Sequence, residues 1–493
     1  MEETVQVQKK KTYSTSQLLG LIAGIILFIV IYYVLPIDGL SHEGRGVLAT
    51  LGLMAAWWIS EAINTGITGL VPLVLFPLTG AMAAGPTAAA YGSNTIFMFF
   101  GGFAISLALE RWNLHNRIAL TIINAVGTSI NRLILGLMFA GGFLSMWVSN
   151  TATILMLLPI ATAIASNIKE LMELEEDYTE KDGIDFKKAA IFAVGFGSII
   201  GGSTTIIGTP TNMILSGFVT ELLGYELPFG NFMFFMLPFS ILQYLLMYFL
   251  LTRVVFKIRI KHLKNANVVI KKQLKDLGAP SYEEKIVFAV FLATVFMWVS
   301  RSYLFTNFTS LSDTVISIVA CILLYTLPNR ERGSRILDGD SIKDMPWGVV
   351  LMLMGGMAIA AGFTNTDLAQ FLGNQLLAFE SVSLFGMISI VALFGLVMTQ
   401  LAPNTASATI LIPIAASLAT SISVDPLYLM MAAALATGFA TTLPSGTPVM
   451  GIMYGTGEFT IGELAKTGGI LAIVSEVLIV LFIYFLAPVM FGI

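Results

Sequence analysis

The sequence predicts an all-α polytopic membrane protein, and three observations carry that reading. Of 493 residues, 56% are hydrophobic and only 11% are charged. A soluble domain carries about a quarter charged residues, so this surface cannot all face water. The apolar segments reach the roughly 20 residues that a helix needs to cross a hydrocarbon core of about 30 Å. They also lack the period-two alternation of a transmembrane β-barrel. The single cysteine, Cys321, lies in an apolar segment and excludes a disulfide framework. A net charge of −4 and three histidines far apart in sequence (His42, His115 and His262) carry no functional signal. No nucleic-acid partner is expected.

The elements follow in order. Lys9, Lys10 and Lys11 precede an apolar run over about 18–36. That run is too long for a signal-peptide core and no small-x-small site follows it. Residues 1–45 therefore form an N-terminal segment with a retained first transmembrane helix. Spans are expected near 46–59, 67–82 and 93–109, at 189–219 and at 232–255. The second half offers 286–304, 314–327, 347–363, 428–454 and 464–491. Two stretches without any charge, 133–168 and 381–424, are too long for one ordinary span.

Near the centre of each charge-free stretch stands almost the same phrase. "SNTATILMLLPIA" begins at Ser149, and "PNTASATILIPIA" begins at Pro403, 254 positions later. A polar kink there splits each stretch into two legs of roughly 17 to 22 residues, long enough for full crossings or for a re-entrant hairpin. Non-helical backbone at membrane depth survives only when buried in protein or lining a wet cavity. The polar tips favour hairpins.

Counting crossings from a cytoplasmic N-terminus puts the loop 253–275, with eight Lys or Arg and no acid, on the inside. Arg330, Arg332 and Arg335 also fall inside, while 222–231 and 304–313, without Lys or Arg, fall outside. That is the distribution of the positive-inside rule, and full crossings would give the same one. Each half then holds five crossings and one hairpin, for about 11 transmembrane helices plus two re-entrant hairpins. Five is odd, so the halves insert upside down. The expected organisation is repeat 1 over 46–257 with a cytoplasmic-side hairpin, a basic cytoplasmic linker over 258–285, and repeat 2 over 286–493 with an external-side hairpin. Inverted repeats whose broken elements meet at the midplane are the architecture of secondary transporters.

Other segments recur at the same shift. "FFGGFAIS" at 99–106 matches "LMGGMAIA" at 353–360. After them, 108–119 and 362–373 read as amphipathic arms along the membrane interface, with Trp112 as a headgroup anchor. "GGSTTIIGTPTN" (201–212) and "TTLPSGTPVM" (441–450) each interrupt a span with Gly-Thr-Pro. Glycine permits unusual backbone angles, and proline prefers the first helical turn. Gly208-Thr209-Pro210 and Gly446-Thr447-Pro448 therefore read as breaks from which new half-helices start.

Such a start points free N–H groups and a positive dipole end into the membrane, a place for a carboxylate without Lys or Arg. The preceding half-helix ends in unpaired carbonyls that suit sodium. Asn150 and Asn404 can serve both ligands, because an amide offers an acceptor and donors. Thr151 and Thr405 add hydroxyl donors. Packing alone would explain one such motif; two matched sets favour a binding site for a small dicarboxylate. An intramembrane enzyme would need an acid pair, a Ser with a base, or a metal cluster. Both hairpins lack Asp, Glu, Lys, Arg and His, so no enzyme is expected. A channel would need a continuous polar pore, which closed tips at the midplane oppose.

These motifs resemble the divalent anion/sodium symporter family, the INDY-type dicarboxylate and citrate transporters, over essentially the whole chain. The resemblance implies a dimerising scaffold domain and a transport domain that carries the site by an elevator movement. It implies C4/C5 dicarboxylate substrates such as succinate, malate, fumarate or 2-oxoglutarate, and a bacterial inner (cell) membrane location. Carried onto this chain, a first sodium site uses Ser145, Ser149, Asn150 and the backbone near Gly208. A second uses Thr399, Ala402, Asn404 and the backbone near Gly446. Substrate meets Asn150, Thr151, Asn404, Thr405, Thr447 and Pro448, and the pairing of the breaks adds Thr209 and Pro210. Sodium is the one bound species implied, with no cofactor. One departure is Pro403, where the family usually has serine. The family includes sodium-independent exchangers, and on this departure the reading leans slightly to dicarboxylate exchange over sodium-coupled symport.

Overall fold

A computed structural model describes the chain except residues 1–12, 128, 174, 176–177, 259–265, 306–307, 309, 331–332 and 376–380. Lys9, Lys10, Lys11, His262, Arg332 and residues 259–265 of the basic linker thus lie outside the described residues. Among those described, the secondary structure is helical, with one isolated bridge between Pro328 and Arg335.

Eight helices are long and apolar enough to cross a membrane, from Thr15–Val34 to Ile461–Phe491. Four shorter apolar helices are Thr65–Thr79, Ile130–Ser145, Asp313–Thr326 and Pro426–Thr437. The spans expected at 189–219 and 428–454 each consist of two pieces, Glu180–Gly202 with Pro210–Phe218 and Pro426–Thr437 with Pro448–Gly455. The stretch 133–168 becomes Ile130–Ser145 and Asn150–Met172; 381–424 becomes Leu384–Leu401 and Asn404–Ser421.

Small residues set the closest helix approaches. A Cβ on Gly101 would stand 2.5 Å from the Ser317 carbonyl, and one on Gly355 would stand 2.3 Å from that of Gly69. These glycines occupy the same place in the two "GG" phrases. Helix Asn94–Arg111 therefore lies against Asp313–Thr326, while Trp347–Asn365 lies against Thr65–Thr68. The exchange recurs at the broken elements. Pro210–Phe218 packs on Asn404–Ser421, and Pro448–Gly455 packs on Asn150–Met172.

Charges gather at helix ends. Lys187 and Lys188 reach Glu458 and Glu463, each at 2.5 Å. Arg117 pairs with Glu284 at 2.7 Å. Arg111 holds both carboxylate oxygens of Asp338, and that guanidinium keeps the Asp338 carboxyl well below the ordinary carboxylate range. Trp112 departs from its expected place. It is buried, and its indole N–H donates to the Ile336 carbonyl at 3.0 Å, so it anchors a loop rather than a headgroup. The arm expected over 108–119 turns at Asn113 (φ 54°), after which Leu114–Val126 forms a separate helix.

Candidate functional site

The two hairpin tips share one local design. Ser149 and Pro403 have nearly the same extended backbone (φ −57°, ψ 148° and φ −55°, ψ 138°), and each returning helix starts at the next residue, Asn150 or Asn404. Five residues before each asparagine stands a hydroxyl. Ser145 Oγ donates to Asn150 Oδ1 at 2.6 Å, and Thr399 Oγ1 lies 2.8 Å from Asn404 Oδ1. Thr399 Oγ1 is also 2.8 Å from the Thr437 carbonyl, and it donates its one proton to either acceptor. The tips differ in the cap. Ser149 Oγ accepts the Ala152 N–H at 3.3 Å, whereas Pro403 offers no side-chain cap.

The breaks match as closely. Thr209 (φ −140°, ψ 144°) and Thr447 (φ −136°, ψ 153°) are extended residues, each followed by a proline that opens a half-helix. Proline loses nothing there, since the first helical N–H has no intrahelical acceptor. The glycines are required by close approach. A Cβ on Gly208 would stand 2.4 Å from the Gly202 carbonyl and 2.8 Å from that of Ser145. One on Gly446 would stand 2.8 Å from the Ala440 carbonyl. A Cβ on Gly202 would meet Asn150 Oδ1 at 1.9 Å, so the first break presses directly on the first tip.

The first expected cation set is thus largely brought together: Ser145, Asn150 and the backbone at Gly208, joined by Gly202. Ser149 sits beside it but lends its oxygen to the helix cap. The second set joins Thr399 and Asn404 to the carbonyls of Thr437 and Gly438; Asn404 Nδ2 donates to Gly438 at 3.4 Å. Ala402 is a buried, extended residue two positions before Asn404 (φ −135°, ψ 157°), and Gly446 closes on the Ala440 carbonyl instead of on that amide. Thr151 and Thr405 are half-buried, and among the described residues no side chain or backbone group hydrogen-bonds to their hydroxyls. Thr209 and Thr447 are buried, Pro210 is half-buried and Pro448 exposed.

Hydroxyls, amides and carbonyls are hard oxygen donors, suited to an alkali cation beside an anion that meets helix N-termini. Among the described residues no group of three His, Cys, Asp or Glu side chains gathers around a metal position. Two bracing side chains went unread in the sequence. Asn212 Nδ2 donates to Ser203 and Thr205 carbonyls at 3.0 and 2.9 Å, tying the first break to its own half-helix. Gln400 ties the second break to the hairpin. Its Oε1 accepts the Thr442 N–H and hydroxyl, and its Nε2 donates to Phe439 at 3.2 Å. Each was signalled only as a polar residue inside an apolar stretch.

The family described as the sodium:sulfate symporter transmembrane region matches residues 15–493. The chain belongs to this family of transporters. Among members, it is 40% identical to a sodium-dependent dicarboxylate transporter, SdcS, of Staphylococcus saprophyticus, over 99% of this chain and 94% of that protein. It is 39% identical, with the same coverage, to SdcS of Staphylococcus aureus. The fold is also similar to the Alcanivorax borkumensis YdaH transporter, with a TM-score of 0.56 and 12% identity, over 92% of this chain and 99% of that one. For Neisseria gonorrhoeae MtrF the TM-score is 0.53 and the identity 15%, over 96% and 95%. At such identities the likeness speaks for the fold alone. As a member of this symporter family the chain is an integral membrane transporter and not an enzyme.

Proposed function

We propose that this chain is a secondary active transporter of C4/C5 dicarboxylates such as succinate, malate, fumarate and 2-oxoglutarate. The observation that carries the reading is the pairing of two asparagine tips with two Thr-Pro breaks, each amide held by a hydroxyl five residues back. One carboxylate faces each half-helix start, with Asn150, Thr151 and Thr209-Pro210 on one side and Asn404, Thr405 and Thr447-Pro448 on the other. Sodium takes the oxygen sets at the tips. The sodium dependence named for the staphylococcal relatives favours symport over the exchange suggested by Pro403.

The halves are inverted repeats in this proposal, and the exchanged helix contacts support it. The hairpins and broken helices move together as an elevator against a dimeric scaffold in a bacterial cell membrane, with the N-terminus in the cytoplasm. The test is uptake of labelled succinate and 2-oxoglutarate into proteoliposomes, with and without external sodium and with and without internal dicarboxylate. Symport requires sodium and no internal substrate. Uptake that needs internal dicarboxylate and ignores sodium establishes exchange, and uptake without trans-stimulation or sodium dependence sinks both.

A further inference from the structure

Buried serines and threonines in these helices usually return their hydroxyls to a carbonyl one turn back, as Thr50, Ser417, Thr437 and Ser475 do. At the contact between the first break and the second hairpin, three side-chain oxygens depart from this pattern together. Thr211 and Asn212 lie in the first turn after the first break, and Ser407 lies one turn beyond Asn404. Their relative exposures are 0, 1 and 0%. Among the described residues, Thr211 Oγ1, Asn212 Oδ1 and Ser407 Oγ find no hydrogen-bond partner. The two carbonyls that accept from Asn212 Nδ2 fix the amide, so its Oδ1 is turned away from the break. A buried polar atom left unpaired bears its full desolvation cost.

The helices that carry these atoms are packed together. Helix Pro210–Phe218 packs on both Asn404–Ser421 and Pro426–Thr437. A Cβ on Gly438 would stand 3.5 Å from Thr211 Oγ1, which places that hydroxyl over the C-terminal end of Pro426–Thr437. A helix C-terminus carries the negative end of its dipole. Every unpaired atom is an oxygen, and none of the three side chains is an acid. Calcium and magnesium sites rely on carboxylates, whereas an alkali cation needs only neutral oxygens.

We propose that Thr211, Asn212 and Ser407 form a sodium site between the two halves, with side-chain ligands distinct from those of the two tip sites. Its ligands come from the first break and the second hairpin, so filling it ties the two half-sites together. The site is single. Proline-to-proline alignment of the breaks (210 to 448) puts Val449 and Met450 where Thr211 and Asn212 stand, and neither supplies an oxygen. The proposal extends the sodium-coupled reading and rests on it only for its role in transport.

The test is thermal melting of the purified full chain in detergent against sodium chloride, with choline chloride holding ionic strength constant. Sodium should raise Tm, and Ser407→Ala and Thr211→Val should each raise the half-maximal sodium concentration about tenfold or more. Ser407→Thr and Thr211→Ser keep an oxygen and should retain the response. The double variant Asn150→Ala/Asn404→Ala, which removes the tip amides, should keep a sodium response that adding Ser407→Ala abolishes. A response lost in the tip double variant and unchanged in Ser407→Ala and Thr211→Val overturns this site while leaving the tip sites standing. No sodium response in the unaltered protein overturns both. Use of two independent substitutions keeps the result readable if one variant fails to fold.

Discussion

Asn150 and Asn404 each begin a helix, yet neither amide oxygen serves as a cap; a hydroxyl from the preceding leg holds it in place. An oriented amide can present one face to a cation and another to a carboxylate. Asn150→Ala and Asn404→Ala should therefore each lower succinate uptake by roughly tenfold to a hundredfold, the range for a lost bond to a charged group. Size-exclusion profiles should stay unchanged, because both side chains are only half-buried. Normal uptake in both variants would remove the tips from the site. Pro403 makes a finer test. Its backbone angles already match those of Ser149, so Pro403→Ser should fit without rearrangement and gain the cap bond that Ser149 makes. That cap is worth about 1 kcal/mol. The variant should melt slightly higher, and the hydroxyl proton left over should alter the ranking of succinate, malate and 2-oxoglutarate in competition assays. An unchanged ranking would place position 403 away from the substrate.

At the scale of elements, the two unwound breaks are held by different braces, although their backbones match. Asn212 acts from within the first break, whereas Gln400 reaches the second from the hairpin. In the first hairpin Met146 occupies the place of Gln400, and only its backbone carbonyl is used, by Thr205. Gln400→Met would leave the Thr442 hydroxyl and the Phe439 carbonyl without this partner. The expected cost is about 1–3 kcal/mol, seen as a lower Tm, with weaker dicarboxylate binding at the second tip. Wild-type melting and affinity would show that Gln400 does not brace the site. This asymmetry also explains what the sequence could and could not disclose. Tips and breaks were legible because each combines a local composition change with residues of special geometry: Asn-Thr in a charge-free run, and Gly-Thr-Pro inside a span. The braces were not, because Gln400 and Asn212 become meaningful only beside carbonyls folded onto them. The division of the span at 67–82 into Thr65–Thr68 and Val71–Thr79 was equally hidden. Its neighbour there is Gly355, 286 positions beyond Gly69 along the chain, and no local signal marks that contact. Trp112 failed for the same reason. An interfacial tryptophan and one buried on a distant loop carbonyl look alike in sequence.

At the scale of the whole molecule, the contacts exchange between the halves: each half-helix from one break packs on the returning hairpin leg of the other half. A substrate that touches both tips would therefore bridge the halves, and the proposed elevator movement would carry both together. The proposed inversion of the halves makes a topological prediction. The mouths of the two hairpins should open on opposite sides of the membrane. Ala165, near the first mouth, is buried and useless as a reporter, but Ser166 is exposed, as is Ser383 at the second mouth. In a Cys321→Ser background, which removes the one native cysteine, each should be replaced singly by cysteine in intact cells. A membrane-impermeant maleimide should label Ser383→Cys from outside and should reach Ser166→Cys only after the cells are opened. In the proposed topology each half makes five crossings, and an odd count reverses the second half, whereas an even count would not. Labelling of both mouths from the same side would mean that the halves run parallel. The matched tips would then face one direction, and a site built from two opposed half-helix starts could not form between them.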